Sequence, residues 1–387
     1  ISGADTGISL TSDGDGSVIF GDIDNYGTIS GGNYGISLSG ASTITGTVYN
    51  DGTIEGGSTG IYVGNSSNIS GGINNTDSII GGEGRSAIVV SNGSITGGID
   101  NSGIIDGSAS GSAIYMTGLT SALDISITSD DARIIGDVID NNYQNGNSTV
   151  TVGGDFTTEG DYQVSDLTVA EDKTLRITSG DTITLDDMST SEGGTFEFGV
   201  VSTENHGTLN VIGGEGGNID LTDATVKAFV SGTGLNNGDE IMIGDGNDSV
   251  VGVTNGELIE DNSFLWEFLI GDGTQATEGD DTELFLFASK KSFGSYNNGV
   301  ADAIWGLNES ENEDIQEILE SLNEATTEEV TAILESLTPT VNGGAFTASI
   351  DTSDAITNIT NLRLKTLRDG DDSSATGVST GNGLKDR

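Results

Sequence analysis

Apolar residues recur along the first third of the chain with a long, regular period. Four segments align: GDIDNYGTISGG from Gly21, GTVYNDGTIEGG from Gly46, GGINNTDSIIGG from Gly71 and GGIDNSGIIDGS from Gly97, with starts 25, 25 and 26 residues apart. Each unit carries an apolar residue (Ile23, Val48, Ile73, Ile99) followed two positions later by asparagine (Asn25, Asn50, Asn75, Asn101). A second apolar site follows at Ile29, Ile54, Ile79 and Ile105, and a third as the alternating pairs Ile36/Leu38, Ile61/Val63, Ile88/Val90 and Ile114/Met116. A partial unit, Gly7-Ile8-Ser9-Leu10, precedes them. The pattern predicts three very short strands per unit, separated by Gly/Asn/Asp/Ser/Thr turns. One such unit cannot bury its apolar face alone. Stacked units can, because equivalent residues of successive coils form ladders in a narrow core. Parallel strands about 4.8 Å apart then satisfy one another's backbone.

The expected fold is therefore all-β: a right-handed parallel β-helix, or solenoid. A leucine-rich repeat would need a Leu-dominated motif, whereas Ile, Val and Gly dominate here. The repeating asparagine has two readings: an amide ladder between coils, or a residue that tolerates a left-handed turn. Both remain open at this level.

The period fades after Gly136, yet residues 151–290 still read as strands and become aromatic, with Phe156, Phe196, Phe198, Phe264, Trp266, Phe268, Phe285 and Phe287. Larger side chains point to a wider or capped end. Phe264, Trp266 and Phe268 alternate, which puts them on one face of a strand. Residues 310–369 change period. Ile315, Ile318, Leu319 and Leu322, and then Val330, Ile333, Leu334 and Leu337, mark two amphipathic helices, with Asn312 and Thr326 or Thr327 as N-caps and Pro339 as the stop. A third helix is expected between Ala345 and Leu367, and the tail after it is polar and flexible.

Composition narrows the function classes. The chain has 387 residues, 61 Asp+Glu against 12 Lys+Arg, a formal net charge of -49, 61 Gly, one His and no Cys. Such charge and glycine content resemble disorder, but a disordered chain has no reason to space its isoleucines. Absence of cysteine removes disulfides, thiol nucleophiles and Cys-bound zinc, and one histidine cannot build a multi-His metal centre. So acidic a surface repels nucleic acid and anionic membranes. No run is long and apolar enough for a transmembrane helix. The start at Ile1 shows no signal peptide, so a processed or excised piece is expected. Ile1-Ser2-Gly3 matches Ile29-Ser30-Gly31, so the sequence enters in the middle of a coil.

The order of these segments resembles a known family. β-Helix repeats are followed by HGTLNVIGGEGGNIDLTDATVKAFV, then DNSFLWEFLI and TELFLF, then an amphipathic stretch ending in ESLTP, then NLRLKTLRDG and a final GLKDR. This resembles the C-terminal passenger and linker region of pertactin-like autotransporters (type V secretion) of Gram-negative bacteria. The motif-level resemblance covers about residues 200–387; over 1–200 it is one of repeat style. It implies three parts: a β-helix over 1–150, a C-terminal β-helix part with an autochaperone-like cap over 151–300, and a helical linker with a flexible tail over 301–387. An outer-membrane β-barrel would follow, and this sequence stops before it. The implied setting is extracellular or on the bacterial cell surface, with the barrel as partner during secretion.

Candidate chemistry is sparse. His206, in TENHGTLNV, could serve a Ser-His-Asp site, but a turn before a strand accounts for it more plainly, and no GxSxG elbow exists. Carboxylate-pair cleavage of polysaccharides usually needs a nearby cation. Residues 1–84 contain no Lys or Arg, and Arg85 and Arg133 are isolated. Ca²⁺ is the ligand the sequence favours most: IGDGNDSVV (Ile243–Val251) resembles a single glycine-rich nonapeptide with Gly246, Asn247 and Asp248 in place and Ile243 where a glycine belongs. Such sites need tandem copies, because each ion is shared between turns. GGEGGN is followed by no lysine and is no phosphate loop. No catalytic, cofactor or metal residue is therefore assigned. The expected function is structural and non-enzymatic: adhesion or self-association, including head-to-tail filaments of the chain with itself. The alternative is a β-helical stalk for an enzyme encoded upstream of Ile1.

Overall fold

A computed structural model describes residues 1–291, except 13, 15, 109, 110, 190, 192, 214–216, 233, 264 and 278. The helices expected over 310–369, the tail and Phe264 lie outside the described residues. The described chain is a parallel β-solenoid of about 8 turns.

The repeat residues stack as the period requires. The first ladder runs Ser2–Gly3, Thr28–Gly31, Thr53–Gly56, Ser78–Ile80, Ile104–Asp106 and Arg133–Ile135. Its register places Ile29 on Ile54, Ile54 on Ile79, Ile79 on Ile105 and Ile105 on Ile134. Ser2 pairs with Ser30 and Gly3 with Gly31, as the sequence match predicts. The second ladder begins Thr6–Leu10, Tyr34–Leu38, Thr59–Gly64, Ile88–Ser91 and Ser112–Thr117, and runs on as far as Glu240–Gly246. Another long ladder contains Ile23–Asn25, Val48–Asn50, Ile73–Asn75 and Ile99–Asn101, and ends at Asp166–Val169.

Each early coil holds four strands where the sequence pattern indicates three. The additional ladder is two residues long: Val18–Ile19, Thr43–Ile44, Asn68–Ile69 and Ser94–Ile95. Its inward Ile44, Ile69 and Ile95 are fully buried. Their side chains fill the corner between the second ladder and the asparagine-bearing one. A fully buried isoleucine contributes roughly 1.5–3 kcal/mol relative to exposure, so even a two-residue strand is held. Glycine is required where coils come closest. A Cβ on Gly35 would lie 2.7 Å from the Gly60 carbonyl oxygen and 2.8 Å from Ile54 Cγ2.

The repeating asparagines resolve as a ladder. Asn25 Nδ2 donates to Asn50 Oδ1 (2.7 Å), Asn50 Nδ2 to Asn75 Oδ1 (2.7 Å) and Asn75 Nδ2 to Asn101 Oδ1 (2.8 Å). Each Nδ2 also donates to a backbone carbonyl further along the chain: Asn25 to Thr53, Asn50 to Ser78, Asn75 to Ile104 and Asn101 to Arg133. All four residues are buried. None has a positive φ, whereas the nearby Asn65 and Asn92 do, so the left-handed turn is not what selects asparagine at the ladder positions. The spine stops where Asn101 stacks on Ile127.

Beyond Val169 the solenoid narrows to two main faces. The second ladder continues, and a new one comprises Phe156–Thr157, Thr174–Ile177, Thr195–Val200, Thr225–Val230 and Glu257–Asp261. Phe196, Phe198, Trp266 and Phe268 are fully buried, and Phe156 meets Tyr162 edge-to-face at 6.3 Å. The end is closed by antiparallel pairing. Trp266–Asp272 pairs with Glu257–Asp261 on one side and Glu283–Lys290 on the other, and Glu283–Lys290 pairs with Glu240–Gly246. This hairpin bridges the two faces across the last coil. It gives the exposed ladder edges a partner there, which is how an edge strand is kept from pairing with other chains.

Candidate functional site

The residues singled out by sequence fall in separate places. His206 is half-buried in the turn after Thr195–Val200, bridged to Val200. Its Nδ1 lies 3.2 Å from the Gly207 carbonyl oxygen and 3.4 Å from Thr208 Oγ1. Among the described residues no carboxylate and no serine hydroxyl bonds the ring, so the structure brings no triad together around it. The nonapeptide Ile243–Val251 is half strand and half turn. Gly244 and Gly246 lie in Glu240–Gly246, and Asn247 Nδ2 donates to the Gly213 carbonyl (2.7 Å). Among the described residues no group of three or more His, Cys, Asp or Glu is arranged to hold a metal.

Among the described residues, five cations are bonded to acids. Arg133 holds Glu159 through two bonds of 2.7 and 2.6 Å, Lys173 holds Asp130 at 3.0 Å, and Lys227 holds Glu260 at 2.7 Å. Arg176 pairs with Glu197 and lies 3.7 Å over the Phe229 ring. Lys291 bonds Asp261 Oδ1 at 2.7 Å. A cation already bonded to a carboxylate is poorly placed to stabilise a developing anion, as polysaccharide cleavage requires.

Two polar clusters appear that the sequence does not mark, one of carboxylates and one built on a single buried aspartate. The first is a row in which Asp137 Oδ1 accepts from the backbone N–H of Asp161 (3.0 Å) and Asp161 Oδ1 accepts from that of Thr182 (2.7 Å). Burial pushes the Asp161 carboxyl above its ordinary range, and the neighbouring Asp137 and Asp181 push it the same way. The second is closed to solvent. Asp140 is fully buried, accepts from Ser148 Oγ (2.8 Å) and from the Asn142 N–H (2.8 Å), and Ser148 lies 3.2 Å from Ser165 Oγ. Ser165 in turn donates to the Tyr143 carbonyl. Asp140, Ser148 and Ser165 are all buried and all hydrogen-bonded. The network fixes the corner between Asp137–Asp140 and Ser148–Val152, and a buried polar cluster of this kind rigidifies when complete.

The open surface is most distinctive on the outer side of the asparagine ladder. In each strand the residue between the two inward ones faces solvent. Register places Asp24 beside Tyr49 and Tyr49 beside Asn74. One residue past the asparagines, Tyr26, Asp51 and Thr76 form a second row, with Thr76 Oγ1 donating to Asp51 Oδ1 at 3.2 Å. Together these six side chains line a shallow trough of about 510 Å³. Tyr26 is 78% and Tyr49 44% exposed. No signal in the repeat marks this site except an aromatic residue at a solvent position. No protein-family model matches the sequence, and no curated protein is significantly similar to it.

Proposed function

We propose that the chain is a structural passenger of a pertactin-like autotransporter, displayed at or beyond a bacterial surface and acting in adhesion or self-association. The observation that carries this reading is the order of parts. A stacked β-solenoid is closed at its C-terminal end by an antiparallel hairpin. Directly after it comes sequence with two amphipathic periods and the motifs quoted above. The cations bonded to acids support a binding scaffold over an enzyme. For self-association we propose a head-to-tail mode. A parallel solenoid ladder can be continued by a strand from a second copy, because the added strand pairs through its backbone alone. A contact of that kind does not close and yields a filament.

The test is display of the full chain between a signal peptide and an outer-membrane barrel. The expected outcome is surface exposure together with increased cell clumping or adherence. Retention in the periplasm would sink the secretion reading. Display without either phenotype would sink the adhesive one. For the filament, deletion of residues 310–387, proposed as strand donor, should abolish assembly seen by electron microscopy while the β-solenoid remains folded.

A further inference from the structure

Outward positions of the asparagine ladder are small and polar beyond the trough: Asp100 and Ser126 continue one row, Ser102 and Thr128 the other. Against that background two tyrosine rings on adjacent coils are out of place, because exposed aromatic surface contributes nothing to the core. We infer that the trough is a binding site for a neutral oligosaccharide. Tyr26 and Tyr49 stack on sugar rings, and Asp24, Asp51 and Asn74 bond their hydroxyls.

The chemistry fits at each group. A pyranose ring has a face of C–H bonds and a rim of hydroxyls. An aromatic face takes the first through dispersion and the negative face of its quadrupole. A carboxylate accepts from hydroxyls in charge-assisted bonds, and an Asn amide both donates and accepts. Thr76 anchors Asp51 through its Oδ1 (3.2 Å). The volume of about 510 Å³ lies within the range of roughly 300–1,000 Å³ usual for small-ligand sites. Beneath the trough, Asn25, Asn50 and Asn75 bind the same three strands into register, so Tyr49 is held on a strand and Tyr26 in the short bend directly after Asn25.

Charge selects the class of sugar. Residues 1–84 carry no Lys or Arg, so a sulfated, phosphorylated or uronic glycan would meet only carboxylates here. A cationic peptide would be attracted anywhere on a surface of -49 formal charge. Two exposed rings on adjacent coils single out this place, and it is the sugar C–H face that uses them. This inference deepens the adhesive reading and rests on it only for the biological setting.

The test is isothermal titration of the full chain with cellohexaose, maltohexaose, chitohexaose and a β-1,3-linked glucose hexamer, with hexalysine as the cationic probe. At least one neutral hexamer should bind with a dissociation constant between about 10 µM and 1 mM. Tyr26→Ala and Tyr49→Ala should each weaken it at least about tenfold, Tyr49→Phe should keep it, and added salt should leave it unchanged. All these variants should melt with the parent, since the side chains face solvent. Absence of binding by all four hexamers at about 10 mM overturns the inference, as does binding indifferent to both alanine variants. So does hexalysine binding that depends on the tyrosines while the sugars fail. Failure of the sugars in the titration, with adherence intact in the display assay, would remove the trough and leave adhesion standing. Loss of adherence in the parent itself would remove adhesion alone.

Discussion

The first coils and the C-terminal end of the solenoid are held together by different means. From Ile23 to Ile127 the core is a set of near-identical ladders: isoleucine on isoleucine, and an amide spine from Asn25 to Asn101. Each coil is worth about the same as the next, and its edges are satisfied only by its neighbours. From Phe156 to Lys290 the side chains are large and dissimilar, and the last coil is closed by the hairpin Trp266–Asp272 with Glu283–Lys290. Repetition gives a solenoid length and flat outer faces. It gives no stop. The aromatic, antiparallel end supplies the stop and a core that fits one arrangement. In a quasi-one-dimensional protein, stability is a sum of coil and interface contributions, so a strong end stabilises the coils next to it.

The largest effect should come from breaking a ladder with charge. Ile54 is fully buried between Ile29 and Ile79, so Ile54→Asp should cost more than about 4 kcal/mol and unfold the early coils. Urea denaturation followed by circular dichroism reads this directly, and a parent-like midpoint would reject the register. Next is the capped end. Trp266 is fully buried, and Trp266→Ala should cost about 3–5 kcal/mol. If the two regions differ as described, this loss should appear first in the C-terminal strands, as followed by limited proteolysis with mass mapping.

A smaller effect isolates the amide spine. Asn75→Ala removes the bonds to Asn50 and Asn101 and should cost about 1–3 kcal/mol. Asn50→Ala and Asn75→Ala combined should cost less than their sum, because they share one bond. Additive losses would show that the spine does not act as a unit. The smallest effect has the opposite sign. The Tyr162 hydroxyl is buried and finds no hydrogen-bond partner among the described residues, and burial pushes its pKa well above the ordinary value. Tyr162→Phe should therefore be neutral or raise stability by about 1 kcal/mol. A clear loss in a thermal melt would mean the hydroxyl is satisfied.

Much of the first region is legible in the sequence, because a ladder repeats every constraint it imposes. Ile29, Ile54, Ile79 and Ile105 announce their stacking by spacing alone. The fourth strand is visible in the same way, at Ile19, Ile44, Ile69 and Ile95, but a lone isoleucine among Ser, Thr and Gly carries no alternation to mark it as a strand. Ladder and turn could not be separated for Asn50 because both favour the same residue; only backbone angle and the Nδ2–Oδ1 distance divide them. The antiparallel closure was not legible either. Trp266 and Phe268 alternate equally well in parallel or antiparallel strands, and strand direction is set by the connection at Gly273–Gln275 and its neighbours. Asp140 and Ser148 lie eight residues apart in chain and meet across a corner, which no local pattern encodes. The trough at Tyr26 and Tyr49 was missed because solvent positions in a repeat are read as solubilising surface.

The central claim is that stability is concentrated at the capped aromatic end and passes from coil to coil toward the first one. Native-state hydrogen exchange measured by mass spectrometry tests it most directly. Amides of Glu240–Gly246, Trp266–Asp272 and Glu283–Lys290 should exchange slowest. Those of Thr53–Gly56 and Val48–Asn50 should be intermediate, and those of Thr6–Leu10 and Ile23–Asn25 fastest. Uniform protection from end to end, or slowest exchange in the first coils, would contradict the account.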